Sequence, residues 1–326
     1  MLKTLGAVVA GDRQSATKWL VVCVIVLLDI AWILASDFSF NVQSAVKVVG
    51  VVTLLLAIGW FYRVKRPMEN FEVMCTETAL LLAFSTAGAV LSYLVTSLNF
   101  PLIDPWLLKS DAAMGFDWLK YAGLVYSTPW LATSASVVYI TTISQIALCV
   151  VVIGLSGDII RSRRLGAAVI FSGLICIGTS GILPSAGAMG FLRPSHEFIA
   201  MGSPIVDLNY KQVFFDLRSG AERLISLDAL YGLIAFPSYH GTLSALVVIS
   251  LWSIRYLRFI ALPFNVLVLA ATPAEGGHHL TDTLAGVAVA LLAWHLAGVF
   301  ARKVPAVKFA PIATEKPSVL ASVKSF

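Results

Sequence analysis

The sequence predicts an all-α polytopic membrane protein with about eight transmembrane helices. Three observations predict it. Of 326 residues, 58% are hydrophobic and 13% charged, against about 45–50% and 25% in soluble globular domains, which excludes an ordinary soluble enzyme. The charged residues cluster, leaving apolar runs of about twenty residues, the length a helix needs to cross the hydrocarbon core. Finally, the Lys/Arg clusters alternate between consecutive runs, as the positive-inside rule requires. The net charge of +5 is therefore read as an orientation signal and not as affinity for nucleic acid.

The apolar runs place spans at about 19–36, 44–62, 73–97, 130–155, 165–186, 238–254, 257–274 and 279–301. The first is too long for a signal-peptide core and lacks a small-x-small cleavage site, so it counts as a span. Sixteen of the 23 basic residues fall on one face, in clusters such as Arg63, Lys65 and Arg66 or Arg161, Arg163 and Arg164. That face is expected to be cytoplasmic and to hold both termini. The remaining seven (Lys47, Lys109, Lys120, Arg193, Lys211, Arg218 and Arg223) go to the other face, with long loops at 98–129 and 187–237. The first of these loops mixes Trp106, Phe116, Trp118 and Tyr121 with Asp and Lys, which predicts short helices lying at headgroup level. All four cysteines lie within spans, without metal-ligand or disulfide spacing, and read as packing residues. The Pro/Lys/Ser-rich end, 305–326, reads as a disordered cytoplasmic tail.

Only five histidines are present, so two motifs stand out: F-P-S-Y-H at 236–240, opening the sixth span, and G-G-H-H-L-T-D at 276–282, opening the eighth. In this composition P-S-x-H is expected by chance about 0.02 times and H-x-x-x-D about 0.2 times, so their joint appearance at the outer ends of two spans carries weight. Both helices would present unsatisfied N–H groups and a positive dipole end there, which favours an anion. Pro237 suits a first helical turn, and Ser238 can offer its hydroxyl and N–H to a phosphate oxygen. His278 and Asp282, four apart on one helix face, can pair so that the carboxylate orients the imidazole as a nucleophile or base. His240 is then available as a general acid.

The two motifs resemble the second and third signatures of the type 2 phosphatidic acid phosphatase superfamily, P-S-G-H and S-R-x5-H-x3-D. Tyr239 in place of Gly, and the pair His278 and His279, are similar to its inositol phosphorylceramide synthase branch, the inositolphosphotransferase-like proteins. The resemblance covers roughly 72–302. It implies a six-helix catalytic membrane core, assigned to 67–304, preceded by an N-terminal two-span segment, 1–66. It further implies that His278 becomes a phosphohistidine, Asp282 orients it, His240 protonates the departing alkoxide, and water or an alcohol resolves the intermediate. The third-motif arginine is missing, because position 272 is Thr. The first motif, K-x6-R-P, has two partial matches: Lys211 to Arg218 followed by Ser219, and Arg193-Pro194 with Ala186 at the Lys position. A phosphate dianion requires charge-assisted partners, and Arg218 is the favoured one, with Arg223, Arg193 and Lys211 as further candidates.

The expected partners are a lipid phosphate substrate and membrane lipids, without nucleic acid, and no cofactor or metal is expected. His240, His278 and Asp282 could in principle ligate zinc, but no H-E-x-x-H is present and phosphohistidine chemistry needs no metal. The rival class is a proton-coupled transporter using the intramembrane carboxylates Asp29 and Glu77. His279, about 100° around the helix from His278, is expected to pack, and His196 and His295 to take no part in the chemistry.

Overall fold

A computed structural model describes residues 13–303, so the tail expected at 305–326 lies outside the described residues. The described residues open with α1 (Arg13–Ala35), α2 (Val42–Val64) and α3 (Glu69–Thr96). Two short helices follow, α4 (Asp104–Ala113) and α5 (Trp118–Tyr126), then the bent pair α6 (Pro129–Ile140) and α7 (Thr142–Leu155), and then α8 (Ile159–Ile182). The second long loop folds into α9 (Gly187–Leu192), α10 (His196–Gly202) and α11 (Leu208–Ser219). It leads into α12 (Tyr239–Leu251), α13 (Arg258–Glu275) and α14 (Leu280–Lys303). The apolar helices make this an integral membrane protein.

Eight helical segments stand where eight spans are expected, but they do not cross alike. Six are long and apolar enough to span a bilayer, and α6 with α7 forms a seventh, bent by 46°. The bend falls where Thr141 and Thr142 turn their hydroxyls back onto the carbonyls of Val138 and Tyr139, at 2.7 and 2.8 Å, competing with the helical ladder. The expected span at 238–254 is only the 13-residue α12, about 20 Å long at 1.5 Å per residue. Ser238 caps its start, and the chain leaves the helix at Trp252, ahead of Arg255 and Arg258.

The largest apolar core joins α1, α3, α7, α8, α12 and α14 through residues such as Leu80, Phe84, Ile153, Leu165, Leu246 and Ala290. Gly173 permits part of this contact, since a Cβ there would stand 2.6 Å from the Phe84 ring. The N-terminal pair of helices is stitched to the rest at both ends. Lys18 and Glu77 form a buried ion pair between α1 and α3. At the other end, β1 (Ser39–Phe40) pairs in parallel with β2 (Leu224–Ile225) in the register Ser39 to Leu224 and Phe40 to Ile225.

The α4–α5 platform is less interfacial than its composition implies. Trp106 is exposed, whereas Trp118 is 1% exposed. Trp118 Nε1, Tyr121 Oη and Tyr126 Oη donate to the carbonyls of Pro273, Ala270 and Ala274 at 2.8, 2.5 and 2.6 Å. The last four carbonyls of a helix lack intrahelical partners, so Trp118 and Tyr126 satisfy the end of α13 at Pro273 and Ala274, and Tyr121 adds a bond one turn earlier. That end leads directly into the G-G-H-H turn.

Candidate active site

The site forms where α12 and α14 begin. The backbone N–H of Ser238 donates to the carbonyl of Asp282 at 3.0 Å, and Thr242 Oγ1 donates to the carbonyl of Gly286 at 2.9 Å. The approach is so close that a Cβ on Gly286 would lie 2.2 Å from the Ser238 carbonyl oxygen. These contacts bring the two motifs, forty residues apart, into one place. Ser238 is the N-cap of α12, its Oγ accepting from the N–H of Gly241 at 3.3 Å. Pro237, expected in the first helical turn, stands one residue before that cap.

His278 has a polar partner on each side of its ring. Nδ1 lies 3.4 Å from Asp282 Oδ2, and Nε2 lies 3.4 Å from Ser238 Oγ. The pair straddles the start of α14 instead of lying within it, because the helix begins at Leu280. Asp282 is the third residue of the helix, and its Oδ2 accepts from the N–H of His279 at 2.9 Å, which is half of a capping box. The helix start thus orients the carboxylate, and the carboxylate faces the imidazole. Burial disfavours the charged ring and pushes the His278 pKa down to about 3, with Lys211 acting in the same direction, so the imidazole is neutral.

His240 stacks on Tyr139, with ring centroids 4.2 Å apart and planes 14° from parallel. Tyr139 Oη lies 3.3 Å from His240 Nδ1. Gly276 separates this pair from His278: a Cβ there would be 2.6 Å from His278 Cδ2 and 2.7 Å from Tyr139 Oη. Tyr239, which replaces the motif glycine, instead packs into the main apolar core, near Gly173 of α8.

The cation brought to this centre is Lys211. It is 8% exposed, and its aliphatic stem passes Gly190 and Gly277. Two glycines with positive φ make room for it. Gly187 (φ 74°) and Gly277 (φ 63°) stack so closely that a Cβ on Gly187 would sit 2.4 Å from the Gly277 oxygen and 3.1 Å from Lys211 Nζ. Burial pushes the Lys211 pKa down to about 8, against the pull of Asp282 and Asp104.

The arginines go elsewhere. Arg218, favoured from sequence, donates to the carbonyl of Phe100 at 2.7 Å and lies over Phe214, lining a shallow groove with Asn99, Gln212 and Asp216. Arg223 pairs with Asp37 and donates to the Leu217 carbonyl. Arg193 lies over the Phe215 ring. Lys211 and Arg218 share α11 and the field of Asp104, but only the lysine also acts on Asp282 and His278.

His279 is not a simple packing residue. Fully buried, it places Nδ1 3.0 Å from Asp111 Oδ2 and Nε2 3.5 Å from Asp104 Oδ1. Burial opposes its charge, but the two carboxylates outweigh burial and push its pKa up to about 9. Asp111 also accepts from the N–H groups of Leu280 and Thr281 and from the Thr281 hydroxyl, at 3.1, 2.9 and 2.7 Å. Asp104 receives the Ser185 hydroxyl and the Ala186 N–H. The α14 N–H groups expected to attract an anion are therefore already capped by Asp111, a correction that leaves Lys211 as the principal positive charge beside His278.

Sequence reasoning missed Tyr139, Asp104, Asp111 and Glu275. Glu275 is fully buried next to the glycine turn, with Oε2 accepting from Ser136 Oγ and the Ile205 N–H at 2.8 and 3.1 Å. Among the described residues, no group of three or more His, Cys, Asp or Glu side chains is placed to hold a metal ion. His196 and His295 are exposed and away from the motif histidines.

No curated protein and no solved structure matches the chain. A family model described as the PAP2 superfamily matches residues 105–296, from the platform through most of α14. Because that match covers more than half of the chain and contains both histidine motifs, the protein belongs to the PAP2 superfamily.

Proposed function

We propose that this protein is a lipid phosphate phosphatase or phosphotransferase that works through a phosphohistidine on His278. The observation that carries the reading is the neutral, buried imidazole of His278, with Asp282 at Nδ1, Ser238 at Nε2 and Lys211 alongside. Nε2 attacks phosphorus, forming the P–N bond as the ester P–O bond breaks, and the departing alkoxide takes a proton from His240. Water or an acceptor alcohol then gives its proton to His240 and attacks phosphorus, and the P–N electrons return to His278. Lys211 and the Ser238 hydroxyl stabilise charge on the nonbridging oxygens, the main demand of phosphoryl transfer. Arg218, Arg223 and Arg193 are assigned to the rim, where a headgroup would first meet positive charge.

Tyr239, the adjacent histidines and Thr272 in place of the motif arginine support the inositolphosphotransferase-like branch, and with it an alcohol acceptor such as a sphingolipid. The charge asymmetry supports an orientation with both termini cytoplasmic and the site on the opposite face, and the compact loops favour a bacterial inner membrane, with the site periplasmic. The test is incubation of purified protein with radiolabelled phosphatidate, isoprenyl diphosphate and phosphatidylinositol, each with and without ceramide or diacylglycerol. Free phosphate identifies a hydrolase and a new labelled lipid a transferase. Acid-labile label trapped on wild type but not on His278→Ala supports the intermediate, and undiminished turnover by that variant overturns it.

A further inference from the structure

We infer that Tyr139 is a positioning residue that holds His240 in the orientation and protonation form needed to release the leaving group. The inference rests on the reading of His240 as the general acid. Tyr139 is 4% exposed and comes from α6, an element that neither motif includes. It sits at the last turn before the 46° bend, where Thr142 Oγ1 binds its carbonyl. The bend therefore fixes the ring at the level of the site. One turn earlier on the same face, Ser136 donates to Glu275, tying α6 to the residue that precedes the Gly276–Gly277 turn.

Two contacts define the role. The phenolic oxygen lies 3.3 Å from His240 Nδ1, which leaves Nε2 as the nitrogen for substrate. The rings stack at 4.2 Å, placing the electron-rich phenol face against the imidazole. An imidazolium carries a proton on both nitrogens, so Nε2–H is delivered to the departing alkoxide while Nδ1 stays beside the phenolic oxygen. After transfer, the neutral ring accepts at Nε2 the proton of the incoming water or alcohol. A hydroxyl both donates and accepts, so Tyr139 keeps its bond to Nδ1 through the cycle.

A residue acting through the general acid should matter in proportion to the need for an acid. The probes are dodecyl phosphate, whose alkoxide leaves poorly, and para-nitrophenyl phosphate, whose phenolate leaves well, with loss of ester followed so that hydrolysis and transfer both register. Tyr139→Phe keeps the stack and loses the hydroxyl, and is expected to lower kcat on dodecyl phosphate about tenfold. The loss on the nitrophenyl ester should be several-fold smaller. In a His240→Ala background, itself expected to be slower by about 100-fold or more on the alkyl ester, the Tyr139→Phe change should add less than about twofold. Tyr139→Leu, which also removes the stack, should lose more than Tyr139→Phe on the alkyl ester alone. Equal losses on both probes, or full additivity with His240→Ala, would overturn the inference while leaving His278 chemistry intact. Activity that survives in His278→Ala, or a wild type that cleaves neither ester, would overturn the functional reading itself.

Discussion

Removing Asp111 should unfasten the start of α14 and with it the proposed nucleophile, His278. One buried carboxylate accepts from Leu280 N, Thr281 N, Thr281 Oγ1 and His279 Nδ1, at 2.7 to 3.1 Å, with 1% exposure. Asp111→Ala leaves two helix-start N–H groups without acceptors and takes one of two carboxylates from a buried imidazolium. Breaking a buried charge pair by deleting one partner costs about 3–5 kcal/mol, and losing an N-cap acceptor costs about 1 kcal/mol. The terms share one side chain and do not add fully, so we expect a loss of about 4 kcal/mol. For a chain of this size that lowers the melting temperature by on the order of 10 °C, read by circular dichroism in detergent.

The pH dependence separates the charge from the cap. The folded-state pKa of His279 is raised to about 9, so its contribution is complete below its unfolded value of about 6.5 and is lost as pH rises through about 9. Asp111 is shifted the other way: burial opposes its ionisation, but His279 and Thr281 hold it below the ordinary carboxylate range. Its contribution is therefore present above about pH 4 and is lost on acidification. The gap between wild type and Asp111→Ala should be widest near pH 6 and should shrink by pH 10 to the residual cap contribution. Thr281→Val, which removes one hydroxyl bond, should cost about 1 kcal/mol. A gap below about 1 kcal/mol at pH 6, or one as large at pH 10, would refute the reasoning.

Two further predictions follow from the same geometry. Lys211 has its pKa depressed to about 8, so the charge proposed to receive phosphate disappears as pH rises through that value. Accordingly, kcat/KM for any phosphate ester should fall above about pH 8, and Lys211→Arg, which stays charged, should move the alkaline limb upward. A limb unmoved by Lys211→Arg assigns it to another group. At Gly286 a Cβ would meet the Ser238 carbonyl at 2.2 Å, backbone against side chain with no flexible group to yield. Gly286→Val should cost about 1–3 kcal/mol of stability and reduce turnover at least tenfold by separating the two motifs, whereas Gly178→Ala, in open space, should do neither.

Much of this site could be read before any fold was known, for a specific physical reason. Charge and histidine are scarce in an apolar chain, so His240, His278 and Asp282 stand out from their surroundings, and helix polarity puts both motifs at one level. Lys211 was legible only as half of a weak spacing, because sequence does not show that two positive-φ glycines open a channel for it. The aromatic residues were harder still. In a chain that is 58% hydrophobic, nothing would mark Tyr139 if the bend at Thr141 were not known; it looks like any packing residue in a span. Asp104 and Asp111 were visible as platform charges, but their partners lie about 170 positions away, beyond the reach of local patterns. The shortness of α12 was hidden because Trp252, Ile254, Tyr256 and Leu257 carry the apolar pattern past the end of the helix, interrupted by Ser253 and Arg255.

The adjacent histidines show how burial alone does not assign a role. His278 and His279 are both almost fully enclosed, at 4% and 0% exposure, and are joined by a single peptide bond. Their pKa values are nonetheless driven in opposite directions, to about 3 and about 9. The difference lies in what each ring meets. His278 faces a hydroxyl, a lysine and the single carboxylate of Asp282, and the cost of desolvating a cation is not repaid, so the ring stays neutral. His279 faces two carboxylates, and the resulting cation holds the platform to the start of α14. Those same carboxylates cap N–H groups that would otherwise bind anion, so the positive charge available to substrate is concentrated on Lys211. In the proposed mechanism one histidine supplies the reactive nitrogen, and its neighbour supplies the charge that keeps the surrounding turn in register.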